Sequence, residues 1–259
     1  MGSHGLRRPL RHERQRSSEM SIDVSSGSPA ARAVPIQGVV FDFGAVLSMT
    51  PFETGLLIEQ RLDLPKGSIS WCGPLDPTLD HLWRGMLAGE ISEREYWRRR
   101  ASEVGRLFGE DWTPRDFYRR VCAALGDDWI RPGMADLLDE IRSHGLKTGV
   151  LSNELELFHG PEWVASLEIL RKVDAMVDAS HTGILKPDSR AYQAIATALD
   201  LPLSDLLFVD DQARNVAGAR AVGMQAVHFE ITNTASAINV IRAAIGDARG
   251  GAARRTTTS

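Results

Sequence analysis

The chain has 259 residues, 43% apolar and 25% charged, with a formal net charge of −4. That length buries a substantial core in one large or two modest domains, and the composition is ordinary for a globular protein. The acidic balance argues against non-specific nucleic-acid binding, and no apolar stretch approaches the ~18 residues of a membrane span, so neither partner is expected.

Residues 1–34 are rich in Arg, Ser and Pro, lack apolar periodicity and are expected to form a disordered extension. Arg7-Arg8 leads into no apolar segment, so no export signal is expected, and Met20 is a candidate natural start. Cys72 and Cys122 show no metal-ligand spacing and read as buried thiols of a cytoplasmic protein.

From residue 35 onward strands and helices alternate. Residues 36–41, ending in Val39-Val40-Phe41, read as a central strand. Residues 48–130 read as a wholly helical insertion. Within it Ser92-Glu93-Arg94-Glu95 has capping-box form, followed by Trp97, Ala101, Val104 and Phe108 at helical spacing. Thr113-Pro114 offers a second helix start, and Trp71, Trp83, Trp97, Trp112 and Trp129 are expected mostly in the core of this insertion.

Residues 135–143 read as a helix stopped by Gly145, and residues 147–151 as a second strand. Pro187 suits the first turn of a helix carrying Ala191, Tyr192, Ile195 and Leu199. Strands are expected at 206–209 and 225–229, with an Ala-rich helix between them ending near Gly223. A last amphipathic helix carries Ile238, Ile241 and Ile245, and residues 247–259 are expected to be a flexible tail. The pattern implies an α/β fold: a doubly wound, Rossmann-like parallel sheet formed by residues 35–47 and 131–246, with an inserted α-helical cap domain at 48–130.

In such sheets ligands bind beyond the carboxyl ends of the strands. Asp42 ends the first strand, Ser152-Asn153 the second, and Asp210-Asp211 follow Leu206-Leu207-Phe208-Val209, while Lys186-Pro187 lies in the loop after Gly183-Ile184-Leu185. Each alone is ordinary turn or capping chemistry. Together, in this order, the four motifs resemble the haloacid dehalogenase superfamily of hydrolases, whose pattern is an Asp, a Ser or Thr, a Lys and an acidic pair. The resemblance runs from about residue 36 to residue 229 and takes in Asn215 and residues 217–224. An insertion straight after the first motif corresponds to the C1-type cap of that family. The subgroup of nearest appearance contains sugar-phosphate phosphatases and the phosphatase domain of soluble epoxide hydrolases.

The resemblance implies a phosphatase acting on a small phosphorylated metabolite, possibly a sugar phosphate. Asp42 would attack phosphorus to form an aspartyl-phosphate, splitting one hard step into two. Mg2+ would be held by the Asp42 carboxylate, the Gly44 carbonyl and Asp211, with Asp210 binding through water or orienting the site. Lys186 would supply positive charge, and Ser152 with the Asn153 region would hold a phosphoryl oxygen.

Gly44 departs from the family pattern, which usually has a second Asp there to protonate the leaving oxygen and activate water. Such proton transfer is typically worth ~100- to 10,000-fold in rate. Three readings follow. In one, the chain is a phosphatase with a good leaving group or with a surrogate acid from the cap, for which His81, Asp80 and Glu90 are candidates. In another it is a metal-independent 2-haloacid dehalogenase, whose halide leaves unprotonated, although those enzymes usually lack the acidic pair. In the third it is a non-catalytic relative that binds a phosphorylated ligand or a partner protein.

Overall fold

The structure, a computed structural model, describes residues 36–253. The expected disordered extension at 1–34 lies outside the described residues, as does the end of the expected tail, 254–259.

Five parallel strands form the sheet in the order β3-β2-β1-β4-β5, where β1 is Gly38–Phe41, β2 Lys147–Ser152, β3 Ala175–Asp178, β4 Leu206–Asp210 and β5 Gln225–His228. The central strand β1 is continuously buried because both faces are covered. Val39 and Phe41 pack with Val150, Leu207 and Val209 against α5 (Met134–Ser143) and α11 (Thr234–Ala253). Val40 points the other way, with Leu151 and Phe208, onto α9 (Ser189–Leu199) and α10 (Ala213–Ala221). The period-2 alternation of strand side chains makes one apolar run serve two cores.

Between β1 and β2 the chain builds α1 (Pro51–Arg61), α2 (His81–Leu87), α3 (Glu93–Leu107) and α4 (Pro114–Leu125), the helical cap. Three short helices, α6 (Leu155–His159), α7 (Pro161–Ser166) and α8 (Glu168–Arg171), link β2 to β3. Trp71, Trp112 and Trp129 are buried with Ile58, Val104, Phe117 and Val121 in a core of the cap's own, while Trp83 and Trp97 are half-buried. Thr50 and Thr113 each close a full capping box, with Pro51 and Pro114 in the first turn. At Ser92 only half of the expected box forms: its hydroxyl accepts from Glu95 N, but the Glu95 carboxylate is drawn to Arg98 and Arg99 instead.

The chain leaves the sheet and returns to it side by side. Ser48 and Ile130 form an isolated antiparallel bridge, Met49 N donates to Trp129 O at 2.9 Å, and Arg131 N donates to Leu47 O at 2.9 Å. A buried arginine locks this junction. Arg131 binds the Glu53 carboxylate at 2.6 Å and donates to the carbonyls of Ala45 (2.7 Å) and Val46 (3.1 Å).

Three sequence expectations need correction, and one strand was not expected at all. The helix after Lys186 begins at Ser189 with Asp188 as its N-cap, so Pro187 precedes it, in a cis peptide bond with Lys186. The edge strand β3, with only four residues, has no apolar run long enough to signal it. Helix α11 continues to Ala253, past the start of the expected tail. Cys72 is only partly buried, unlike Cys122. No helix among the described residues is long and apolar enough to cross a membrane.

Candidate active site

The sheet brings the four motifs together at its carboxyl edge. Phe41 pairs with Val150 of β2 on one side and Val209 of β4 on the other, so the following residues, Asp42, Leu151-Ser152 and Asp210, emerge side by side. Asp42 N donates to Val209 O at 2.8 Å, and its own Oδ1 accepts from Phe43 N at 2.7 Å. The carboxylate is thereby aimed along the strand axis into the cleft.

Lys186 is the hub. Its Nζ lies 2.9 Å from Asp42 Oδ1 and 2.7 Å from Asp210 Oδ2, and it is 3% exposed. Burial works against its charge, but the two carboxylates outweigh that and push its pKa up. The Asn153 amide fixes the lysine backbone, accepting from Lys186 N at 2.7 Å and donating to Lys186 O at 3.3 Å. The side chain thus positions Lys186, a role beside the contact of the Asn153 region with a phosphoryl oxygen that the sequence suggested. Ser152 is buried at the end of β2, and among the described residues no hydrogen bond engages its hydroxyl.

The two acids of the pair differ. Asp210 is fully buried, and both of its oxygens are held: by Gln212 N at 2.8 Å, by Lys186, and by Asn215 Nδ2 at 3.1 Å to each. Tyr192 OH donates to the Asn215 main-chain carbonyl at 2.7 Å, tying that residue to α9. Asp211 is half-buried, and its carboxylate makes no such bonds among the described residues. Burial, then the charges of Asp42 and Asp210, push its carboxyl well above the usual range. Burial likewise raises Asp42 to about 7; Lys186 opposes that shift and Asp210 adds to it.

One oxygen from each of Asp42, Asp210 and Asp211 lies within 4.8 Å of the others. Three carboxylates against one ammonium leave the cleft short of positive charge, and hard oxygen donors at this spacing suit a divalent cation. Gly44 stands beside them in the turn Phe43–Leu47 that Arg131 clamps, exposed and with φ −64° and ψ 135°. A Cβ added there would meet nothing within 4 Å.

The proposed surrogate acids separate. Asp80 is buried structure: it caps α2 through Trp83 N, accepts from Tyr96 OH at 2.9 Å and pairs with Arg100. Burial would raise its pKa, but these bonds outweigh it and hold the carboxyl below its usual range. His81 and Glu90 are exposed on the cap. The sequence reading missed Arg131, whose signal is a lone Arg after an apolar Trp-Ile, and noted Asn215 only as part of the resemblance, without its bonds to Asp210.

Residues 58–223 match the haloacid dehalogenase-like hydrolases, a span that holds Ser152, Lys186, Asp210 and Asp211 and starts after Asp42. The chain belongs to this family of enzymes. It is 28% identical over 207 residues, 77% of its length, to acyl-CoA dehydrogenase family member 10 of Mus musculus, of which it spans 18%. It is 41% identical over 95 residues, 37% of its length, to phosphatase MT3486 of Mycobacterium tuberculosis (strain CDC 1551 / Oshkosh), of which it spans 44%. The chain thus covers less than half the length of either relative. Its fold is similar to that of the HAD hydrolase YfnB from Bacillus subtilis bound to magnesium, with a TM-score of 0.56 and 13% identity over 76% of this chain and 87% of that one.

Proposed function

We propose that the chain is a Mg2+-dependent phosphatase that hydrolyses a small phosphomonoester through an aspartyl-phosphate on Asp42. The observation that carries this reading is Lys186 Nζ bonded to both Asp42 and Asp210 beside the free Asp211 carboxylate. Asp42, Asp211 and the Gly44 carbonyl would hold the cation, which when bound neutralises the carboxylates and the phosphoryl oxygens. Asp210, saturated by hydrogen bonds, orients Lys186.

Asp42 Oδ1 is fixed by Phe43 N and Lys186, which leaves Oδ2 to attack phosphorus in line with the leaving oxygen. Lys186 and the Ser152 hydroxyl stabilise the charge that builds on the equatorial oxygens. Sugar phosphates remain the substrate class suggested by the sequence, and the cytoplasm the expected location. A 2-haloacid fits the site less well. Gly44 is compatible with a halide that leaves unprotonated, but a carboxylate substrate would face three carboxylates and a single ammonium.

The experiment is phosphate release from a panel of phosphomonoesters, with Mg2+ and with chelator. Release that needs Mg2+ and disappears in Asp42→Asn is expected. Release that survives chelator or Asp42→Asn overturns the mechanism, and halide release from 2-chloropropionate without metal would favour dehalogenation.

A further inference from the structure

The first turn of α3 is tied by ion pairs to the segments that follow β2 and β4. Arg94 pairs with Glu154, two residues beyond Ser152 at the end of β2. The preceding residue, Glu93, is bound at 3.1 Å by Arg214, three residues beyond Asp211 at the end of β4. Arg214 is itself anchored, its Nε donating to Gln212 Oε1 at 2.8 Å. Because β1 lies between β2 and β4, consecutive residues of one helical turn are tied to the segments that follow the strands on either side of Asp42. The Glu93 side chain is 46% exposed, so its carboxyl is open to a bound molecule as well as to Arg214. None of the surrogate acids suggested by the sequence is tied to these segments.

We propose that Glu93 is the proton donor and acceptor for this site, supplied by the cap in place of the acid missing at Gly44. The inference rests on the phosphatase reading above. As Asp42 Oδ2 bonds to phosphorus, the bond from phosphorus to the leaving oxygen breaks and its electron pair stays on that oxygen. The Glu93 carboxyl gives its proton to this oxygen, and the alcohol leaves. Glu93, now a carboxylate, takes a proton from water as the water oxygen bonds to phosphorus. The bond between phosphorus and Asp42 then breaks with its pair returning to the aspartate, and Glu93 is protonated again.

The surroundings favour a carboxyl that holds a proton. Desolvation by the protein packed around it, although the side chain is partly exposed, keeps Glu93 above its usual range; Arg214 opposes that, and Glu154 and Asp210 add to it. Asp211, just past β4, and Tyr118 from α4 also interact with Glu93.

The test compares Glu93→Gln with the wild type and with Arg94→Gln, which cuts the neighbouring tether and keeps Glu93. Each is assayed with Mg2+ on glycerol 3-phosphate, whose alcohol is a poor leaving group, and on p-nitrophenyl phosphate, whose phenolate departs unprotonated. In Glu93→Gln, turnover of glycerol 3-phosphate should fall ~100- to 10,000-fold. The same variant should still release a rapid burst of nitrophenolate, followed by slow turnover, because only water activation is then impaired. Arg94→Gln should keep the wild-type ratio between the two substrates. Equal loss on both substrates without a burst, no loss in Glu93→Gln, or the same selective loss in Arg94→Gln overturns the assignment. A wild type that hydrolyses neither ester overturns the phosphatase reading itself and this inference with it, a result distinct from an active wild type indifferent to Glu93.

Discussion

Lys186 Nζ lies 2.9 Å from Asp42 Oδ1 inside the protein, and the same ammonium reaches Asp210 at 2.7 Å. One cation therefore holds two carboxylates that would otherwise repel each other. Lys186→Met is expected to abolish measurable turnover and to destabilise the fold by ~3–5 kcal/mol, the usual cost of stranding a buried charge. Steady-state kinetics and urea unfolding read the two effects. Lys186→Arg should not restore turnover, because a planar guanidinium does not replace a compact, buried ammonium that bonds Asp42 and Asp210 at once. Wild-type turnover in Lys186→Met would remove Lys186 from the mechanism.

Arg131 performs the same service for the loop that carries Gly44. It binds Glu53 at 2.6 Å and the carbonyls of Ala45 and Val46, so one side chain fixes both the start of the cap and the turn after Asp42. Arg131→Ala leaves a largely buried Glu53 and two carbonyls without that partner. A loss of ~3–5 kcal/mol is expected, together with weaker Mg2+ activation because the Gly44 carbonyl is no longer held. A Mg2+ titration of activity separates the second effect from the first. An unchanged midpoint for Mg2+ would show that the turn holds its shape without the clamp.

Asn153, Asn215 and Arg131 also mark what could and could not be read from the chain. Every strand but the edge strand β3 was legible from its apolar run, and the four motifs from polar residues that recur, in order, at the strand ends. The cap helices were legible from caps and periodicity, as at Thr113-Pro114. What was hidden is long-range and polar: Asn153 binding the Lys186 peptide across 33 positions, or Arg131 reaching back to Ala45. Periodicity records which face is buried, whereas these bonds depend on where two loops meet. Glu93 was hidden for the same reason. It sat in plain view as part of a capping box, and only the fold places it near Arg214.

Gly44→Asp is expected to fold with a stability change within ~0.5 kcal/mol, since the position is exposed and has ordinary backbone angles. The open space around it admits the new side chain. If the glycine simply lacks an acid, Gly44→Asp should restore turnover of glycerol 3-phosphate in the Glu93→Gln background, by roughly the factor that general acid catalysis is worth. Loss on every substrate in the Gly44→Asp single variant would mean instead that the glycine is needed for substrate or metal to approach.

His159 gives the fold a proton-linked weakness at low pH. Its ring stacks on Trp163 with centroids 4.7 Å apart, meets Tyr118 edge-on at 5.0 Å and places Nδ1 3.2 Å from Cys122 Sγ. Burial among these groups lowers its pKa from 6.5 to about 3. Between those two values the unfolded chain binds a proton that the native protein refuses, so stability rises with pH and is lost as pH falls. For this one group the loss between pH 7 and pH 5 is about 2 kcal/mol. Urea unfolding at several pH values should show His159→Leu less stable than the wild type at pH 8 but with a shallower decline toward pH 5. Parallel declines in the two proteins would mean that His159 is already protonated in the native state, and that the aromatic enclosure does not exclude the charge.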